Sequence, residues 1–509
     1  MGLLRVTTVR LHYHHGQALS TSLAAPRQLA PWGTMAPPTI EVNSQMPPSL
    51  LRQLRRVVGP ENVLDRPIDL QTYAYDAYGE RSLPRAVVFV HSTAEVSAVV
   101  KVLDGAAVPF VPRGYGTNVS GGALALEGAV VLQMGLMNRV LEIDVPNLCV
   151  VVQPGIFTWD VSRALAPLGY YYAPDPSSLK ASSVGGNIAE NSGGPHCFKY
   201  GVTTNHVLGL EVVLPDGEIV WLGGKNVAPL GLDLTGVFVG SEGTLGIVTA
   251  AVLRILKRPE VTKTMLAAFA SLKQAGEVVS AIVAAGLVPA TLELMDHGTI
   301  VAVENALSCG YPREADAVLL IELDGLRDGM DDMAEQIASL CRANGALQVR
   351  TARDEAEQAA LWRGRQGVFA ATKSLAPNYF SVDGTVPRTM LPEALKRAGE
   401  LGLTYALRVL CVLHAGDGNL HPSFLYDGRQ PEQKKRAEAA SLDFLRICAE
   451  LGGTISGEHG IGVEKLEAMH FVFGDDDLRA QSYLKEAFDP RGLCNPGKVL
   501  PPRRGKARV

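Results

Sequence analysis

Apolar residues first gather into short runs at RAVVFVH (Arg85 to His91) and VPFVPRG (Val108 to Gly114), and between them the spacing turns helical as far as about Asp104. Ser92 with Glu95 three residues on is a helix-start pattern, so this segment predicts strand, helix, strand. Runs at VVLQM (Val130 to Met134) and CVVVQPG (Cys149 to Gly155) predict two more strands. LEVVLPDGEIVWL reads as a hairpin about Pro215-Asp216-Gly217, and TLGIVTAAVLRI as a last strand closing the region near Arg258. From Val261 the pattern resets to a strand, a helix (Leu272 to Gly286), strands Pro289 to Met295 and Val318 to Leu323, and a helix (Gly329 to Asn344). That order predicts a second domain with helices on one face of an antiparallel sheet, hence an α+β fold. A helical segment from Glu432 to Gly452 and the tail EAFDPRGLCNPGKVL finish the chain.

With 509 residues, 47% of them hydrophobic, and a net charge of −5, the chain has material for two or three packed domains. The mild acidity gives no reason to expect nucleic acid; LRQLRRVV and PPRRGKARV read as a solvated helix face and a frayed terminus. No apolar run approaches the roughly 18 residues of a membrane span, so membrane association would come through a partner. Seven scattered cysteines without a CxxC pair argue against a zinc ribbon, an iron-sulfur cluster or a secreted disulfide framework, and place the chain in a reducing compartment. The first residues are rich in Pro, Ser, Thr and Ala, with Met35 and Met46 ahead of Pro-rich text, which predicts a disordered or upstream-start extension over residues 1–48. A transit peptide is the alternative, since arginines are present and acids absent until Glu41.

PRGYGTNVSGGA (Pro112 to Ala123) follows a strand but fails the dinucleotide fingerprint, because Val119 stands where a third glycine belongs. What remains is backbone able to take positive φ and form an anion-binding nest, or a structural turn of the same composition. PDPSSLKASSVGGNIAENSGG (Pro174 to Gly194) reads as a second long polar loop within an apolar domain, whose backbone groups need a polar partner such as an extended dinucleotide.

HAGDGNLHP (His414 to Pro422) sets two histidines seven apart. In an unbroken strand they would face opposite sides, but Gly416-Asp417-Gly418-Asn419 interrupts it, and LRVLCVLH and LHPSFLY read as hairpin arms that let both imidazoles converge. GEHGIG (Gly457 to Gly462) offers Glu458 and His459 on another turn. Two histidines and a carboxylate suit a divalent ion with positions left open for substrate; histidines that merely bond backbone beside glycine turns would look alike.

The two glycine-rich segments, with KYGVTTNHVLGLEVVLPDGEIV, GSEGTLGIVT (Gly240 to Thr249) and NPGK (Asn495 to Lys498), resemble the flavin-binding domain of the vanillyl-alcohol oxidase superfamily. From about Leu50 to Leu500, and most clearly in WRGRQGVFAATKSLAPNYFSVDGTVPR (Trp362 to Arg388), the chain is similar to the glycolate oxidase D-type subunits, relatives of flavin-linked D-lactate and D-2-hydroxyglutarate dehydrogenases. The resemblance implies an FAD-binding domain over 49–259, an antiparallel α+β cap over 260–455, a C-terminal segment over 456–500 that completes the active site, and a disordered tail over 501–509.

It further implies non-covalent FAD, since covalently flavinylated members carry a histidine in the first loop and this loop has none. The matching cofactor positions are Pro112, Arg113, Gly114, Gly116, Thr117, Asn118, Gly121 and Gly122 in the first loop, and Pro174, Asp175, Ser177, Ser183, Gly185, Gly186, Asn187, Asn191 and Gly193 in the second. Glu242, Gly246, Ile247 and Asn495 join them. By the same resemblance His414, His421 and Glu458 bind a divalent metal (zinc, manganese or iron), His459 is the general base and Arg365 holds the substrate carboxylate. The activity implied is oxidation of a small D-2-hydroxy acid, glycolate or D-lactate. Ser381 and Phe369 stand where the hydroxyglutarate enzymes carry lysine and threonine, which argues against a dicarboxylate. Iron-sulfur and second flavoprotein subunits are the implied electron acceptors, with the chain cytoplasmic and held at the inner membrane through them. A non-catalytic FAD-binding subunit of a multi-subunit oxidase, or a D-2-hydroxyglutarate dehydrogenase, is the alternative, and a metallohydrolase would leave both glycine-rich segments unexplained.

Overall fold

The structure is a computed structural model that describes residues 46–226 and 231–502, so the expected extension and tail lie almost wholly outside the described residues. The expected strand, helix and strand form as Val87–Phe89, Thr93–Gly105 and Phe110–Arg113, with Ser92 Oγ accepting from the Glu95 amide at 3.3 Å. The two strands do not touch: both pair in parallel with Val130–Gln133, which lies between them and is buried along its length. Helix residues Val96, Val99, Val100 and Leu103 are fully buried against this four-stranded sheet, each contributing about 2 kcal/mol.

A second sheet of five antiparallel strands runs in the order Val140–Asp144, Cys149–Val152, Ile247–Arg254, Val207–Val213, Ile219–Gly223. Its last hairpin turns at Pro215-Asp216-Gly217 as the sequence predicts, Gly217 taking φ +85°. The first glycine-rich stretch is irregular backbone after Arg113. The second is not one long loop: Val184–Glu190 is a helix, started by Ser183 Oγ accepting from the Gly186 amide and ended by Asn191 in the left-handed region. Glycine and asparagine are poor helix formers, and packing of Val184 and Ile188 into the adjoining core overrides that preference.

The C-terminal half is built on an eight-stranded sheet, antiparallel at each pairing. Helices cover both of its faces rather than one. Along Val261–Phe269, Met265, Ala267 and Phe269 pack against helices Leu272–Ala284 and Met330–Ala343, while Leu266 and Ala268 pack against His297–Leu307 and Glu355–Gln366. Residues of both parities are apolar there and in VLLIEL, the pattern of a strand buried on two sides. Helices Pro431–Glu450 and Asp475–Phe488 follow, and Phe488 stacks edge-on against Phe238 of the N-terminal half.

Candidate active site

Strands Arg408–His414 and Asn419–Tyr426 pair with His414 opposite Asn419 and Val412 opposite His421. Opposed residues share a face, as do residues two apart in one strand, so His414 and His421 are diagonal neighbours, their rings 5.2 Å apart and nearly perpendicular. The tight turn needs Gly418 at φ +86°, where a β-carbon would strike the Val386 carbonyl. On the other side of Arg408–His414, strand Thr291–Asp296 sets Glu293 directly opposite His414.

GEHGIG brings Glu458 Oε1 to 3.2 Å from His414 Nε2 and 3.0 Å from His421 Nε2. Asp383 holds this turn. Its Oδ2 accepts from Ser456 Oγ at 2.6 Å, the Gly457 amide at 3.0 Å, the His459 amide at 2.9 Å and Lys465 Nζ at 2.9 Å, and its Oδ1 from the Glu458 amide at 3.1 Å. Burial opposes charge on Asp383, yet Lys465 and the neighbouring histidines outweigh it and hold the carboxyl far below its ordinary range. The His459 ring stacks on His421 at 5.1 Å and 16°. Burial, reinforced by His421 and Lys465 against the pull of Asp383, brings His459 down to about 4, leaving a neutral imidazole able to accept a proton.

Glu293, fully buried, joins two predicted residues: Oε1 is 2.6 Å from His414 Nδ1 and Oε2 accepts from Arg365 Nε at 2.5 Å. Burial raises this carboxyl, but Arg365 and His414 prevail and lower it, so Glu293 is held as a carboxylate between them. Asp383, His421, Glu458 and His459 present ligand atoms within 4.8 Å of one another, while His414, outside that group, meets the same Glu458 oxygen as His421 does. Asp383 has both oxygens occupied by donors. Of that group His421, Glu458 and His459 remain as side chains able to ligate a borderline divalent ion, with His414 against Glu458 beside them.

This cluster lines a cavity of about 930 Å³ together with both glycine-rich segments. Pro112, Arg113, Gly114, Gly116, Thr117, Asn118, Gly122, Ser177, Ser183, Gly185, Gly186, Asn187, Glu242, Gly246 and Ile247 line it, as do Arg365, Phe369, Ser381, His414, His421, Glu458 and His459. The walls fit an extended dinucleotide because glycines keep them close: a β-carbon at Gly114 would strike Ser183 Oγ, and one at Gly122 would sit 3.0–3.1 Å from Asn118, Glu190 and Glu242. Arg113 reaches the cavity wall, but its guanidinium donates to the carbonyls of Tyr75 at 2.7 Å and Ala123 at 3.4 Å.

Other predicted positions lie off the lining. Gly121 packs against Val463 and Leu124; Pro174 is buried beside Asp175, which pairs with His196 at 2.7 Å. Asn191 caps the Val184–Glu190 helix and accepts from the Thr204 amide at 2.9 Å. Gly193 lets Glu458 Oε2 approach to 2.9 Å of where its β-carbon would be. Asn495 donates to the carbonyls of Gly122 at 3.0 Å and Glu242 at 2.6 Å, tying the tail to two segments.

Glu293, Asp383, Lys465 and Glu190 are the site residues that sequence reasoning missed. The signal for Glu293 was an acid inside the apolar strand TLELMD, which needs a partner wherever it is buried.

Comparison with known proteins bears on what fills the cavity. Residues 84–223 match the family described as "FAD binding domain" and residues 258–499 the one described as "FAD linked oxidases, C-terminal domain". The chain is 42% identical over 454 residues to glycolate oxidase subunit GlcD of Escherichia coli strain K12, covering 89% of this chain and 91% of that one. It is 43% identical to the subunit of the same name from Bacillus subtilis strain 168 (88% and 96%) and 32% identical to D-lactate dehydrogenase of Anaerostipes hadrus (90% and 98%). In fold it is similar to p-cresol methylhydroxylase, with a TM-score of 0.76 at 18% identity over 88% of this chain and 96% of that one.

Proposed function

Because the chain belongs to the FAD-linked oxidases of the glycolate oxidase and D-lactate dehydrogenase type, binding FAD through its FAD-binding domain, we propose that it oxidises a small D-2-hydroxy acid to the 2-oxo acid. One observation carries this reading: His459, a half-buried imidazole stacked on His421, stands beside the His414, His421 and Glu458 cluster in the cavity that both glycine-rich segments line.

On this reading His414, His421 and Glu458 would hold a divalent ion, zinc, manganese or iron, and the glycine-rich segments would hold non-covalent FAD. When bound, the ion acidifies the substrate hydroxyl and the flavin accepts hydride from the adjacent carbon. The protein's side chains do the rest. Arg365, its guanidinium plane fixed through Glu293, meets the substrate carboxylate. His459 Nδ1 or Nε2 takes the hydroxyl proton, which a free imidazole could not take from an unactivated alcohol. Those anchors fix one face of the substrate carbon, which favours the D acid over the L acid.

Ser381 and Phe369 support a small substrate. Phe369 stacks on Tyr379, 6.1 Å between centroids, and Ser381 Oγ is buried without a hydrogen-bond partner, so this wall offers no cation to a second carboxylate at either position. Glycolate or D-lactate should therefore reduce the flavin faster than D-2-hydroxyglutarate. A non-catalytic FAD-binding subunit is the rival, and the assembled His414, His421, Glu458 and His459 cluster weighs against it. Electrons then pass to partner subunits carrying iron-sulfur or flavin centres, at a membrane reached through them; among the described residues no helix is long and apolar enough to cross one. Anaerobic bleaching of the bound flavin by a panel of 2-hydroxy acids tests the reading: no bleaching by any of them, with FAD bound, would overturn it.

A further inference from the structure

Two acids stand side by side in the cavity wall. Glu190 ends the helix Val184–Glu190, and the Glu242 amide donates to the carbonyl of its neighbour Ala189 at 2.8 Å, which ties the two backbones together. Gly122 and Gly460 leave room for the pair. A β-carbon at Gly122 would lie 3.0 Å from Glu190 Oε1 and 3.1 Å from Glu242 Oε2; one at Gly460 would strike Glu190 Oε2 and lie 2.8 Å from Glu242 Oε1.

The two carboxyls are satisfied unequally. Glu242 Oε1 accepts from the Ile461 amide at 2.6 Å and Oε2 from the Gly462 amide at 2.8 Å, with Lys465 and Lys498 near enough to act on it. Glu190 has one donor, Asn118 Nδ2 at 2.5 Å on Oε1, and its Oε2 is buried with no partner. Two carboxyls that flank the same two glycines repel when both are charged, and the proton goes to the one with fewer donors. A proton on Glu190 Oε2 makes that partnerless oxygen a hydroxyl donor, with Glu242 Oε1 on the same glycine, Gly460, to accept from it.

We propose that Glu190 and Glu242 are an acid pair holding one proton on Glu190, so that the flavin cavity carries one negative charge at this wall instead of two. The inference rests on FAD occupying this cavity. Burial first, and Glu242 second, hold the Glu190 carboxyl well above its ordinary range, in keeping with this assignment. The pair is a tuning device: a second charge at this wall would disfavour the reduced, more negative state of a bound flavin.

The test is the two-electron midpoint potential of the flavin in the full-length holoprotein, without substrate, for wild type, Glu190→Gln and Glu242→Gln. Both substitutions keep shape, but only the second removes a charge, because burial, the larger influence on Glu190, keeps that carboxyl neutral without Glu242. Glu190→Gln should leave the ratio of reduced to oxidised flavin affinity within about twofold and abolish the infrared carbonyl band of a protonated carboxyl. Glu242→Gln should raise that ratio at least about tenfold, roughly 30 mV for a two-electron couple. A rise in Glu190→Gln, no protonated-carboxyl band in wild type, or no response to Glu242→Gln would each overturn the proposal. If Glu242→Gln fails to retain FAD, Glu190→Gln with the infrared band decides alone. Wild-type protein that binds no FAD would instead refute the cofactor reading itself.

Discussion

Glu293 Oε1 lies 2.6 Å from His414 Nδ1 across a register pair of two antiparallel strands, while its other oxygen accepts from Arg365 Nε. One carboxylate thus orients a proposed metal ligand and a proposed substrate anchor together. Glu293→Gln cannot serve both, because its amide presents one acceptor and one donor. Metal affinity should fall about 10- to 100-fold, as when an orienting partner of a ligand histidine is removed, with FAD content unchanged. Metal titration of the holoprotein checks this, and unaltered affinity would mean that His414 needs no such partner.

The proposed roles of adjacent residues Glu458 and His459 separate by substitution. Glu458→Ala or His414→Ala should reduce bound metal and activity together. His459→Asn should keep metal and FAD while slowing anaerobic flavin reduction by about 10² to 10⁴, the contribution of a positioned base. If His459→Asn lost the metal, His459 would be a ligand, as its place within 4.8 Å of His421, Glu458 and Asp383 allows. If it reduced at the wild-type rate, the proton leaves by another route.

What was legible in the chain is what local chemistry decides. The HAGDGNLH turn makes both imidazoles converge because its offset is a property of six residues, and Ser92 caps a helix because Glu95 is three residues on. Asp383 and Glu293 were not legible. Their partners lie 75 and 121 residues away, and an acid in an apolar run says that a partner exists without saying which. The second face of the C-terminal sheet was missed for a related reason: an unbroken apolar run such as VLLIEL states burial on both sides, but not what covers them. The helix at Val184 was hidden by its own composition, since Gly185, Gly186 and Asn187 oppose a helix that packing then imposes.

That helix also sets a limit on the cavity wall. A β-carbon at Gly185 would lie 2.6 Å from Pro154 Cβ and 3.1 Å from the Pro154 carbonyl, neither of which can swing aside. Gly185→Ala should destabilise the fold by about 1–3 kcal/mol, the usual penalty of overpacking, and lower FAD retention because the helix start moves off the cavity. Thermal midpoints with and without added FAD report both effects. An unchanged midpoint would show that the helix has room to shift.

His196 ties the two halves of the molecule. Its Nδ1 is 2.7 Å from Asp175 Oδ2 in the second glycine-rich segment and its Nε2 is 3.0 Å from Glu322 Oε1 in the eight-stranded sheet, while Trp362 stacks on the ring at 5.7 Å. Burial alone would lower its pKa, but Asp175 and Glu322 outweigh burial and hold it well above the ordinary histidine range. A group raised on folding contributes in full below its unfolded value, near 6.5, and the contribution is lost as pH rises through the folded value. His196→Gln should therefore destabilise most at about pH 6, by roughly 1–3 kcal/mol for a charge-assisted contact, and progressively less toward alkaline pH. Thermal midpoints of wild type and variant across that range measure the difference. A gap that widens as pH rises would mean that His196 is neutral in the fold and that the clasp works without its charge.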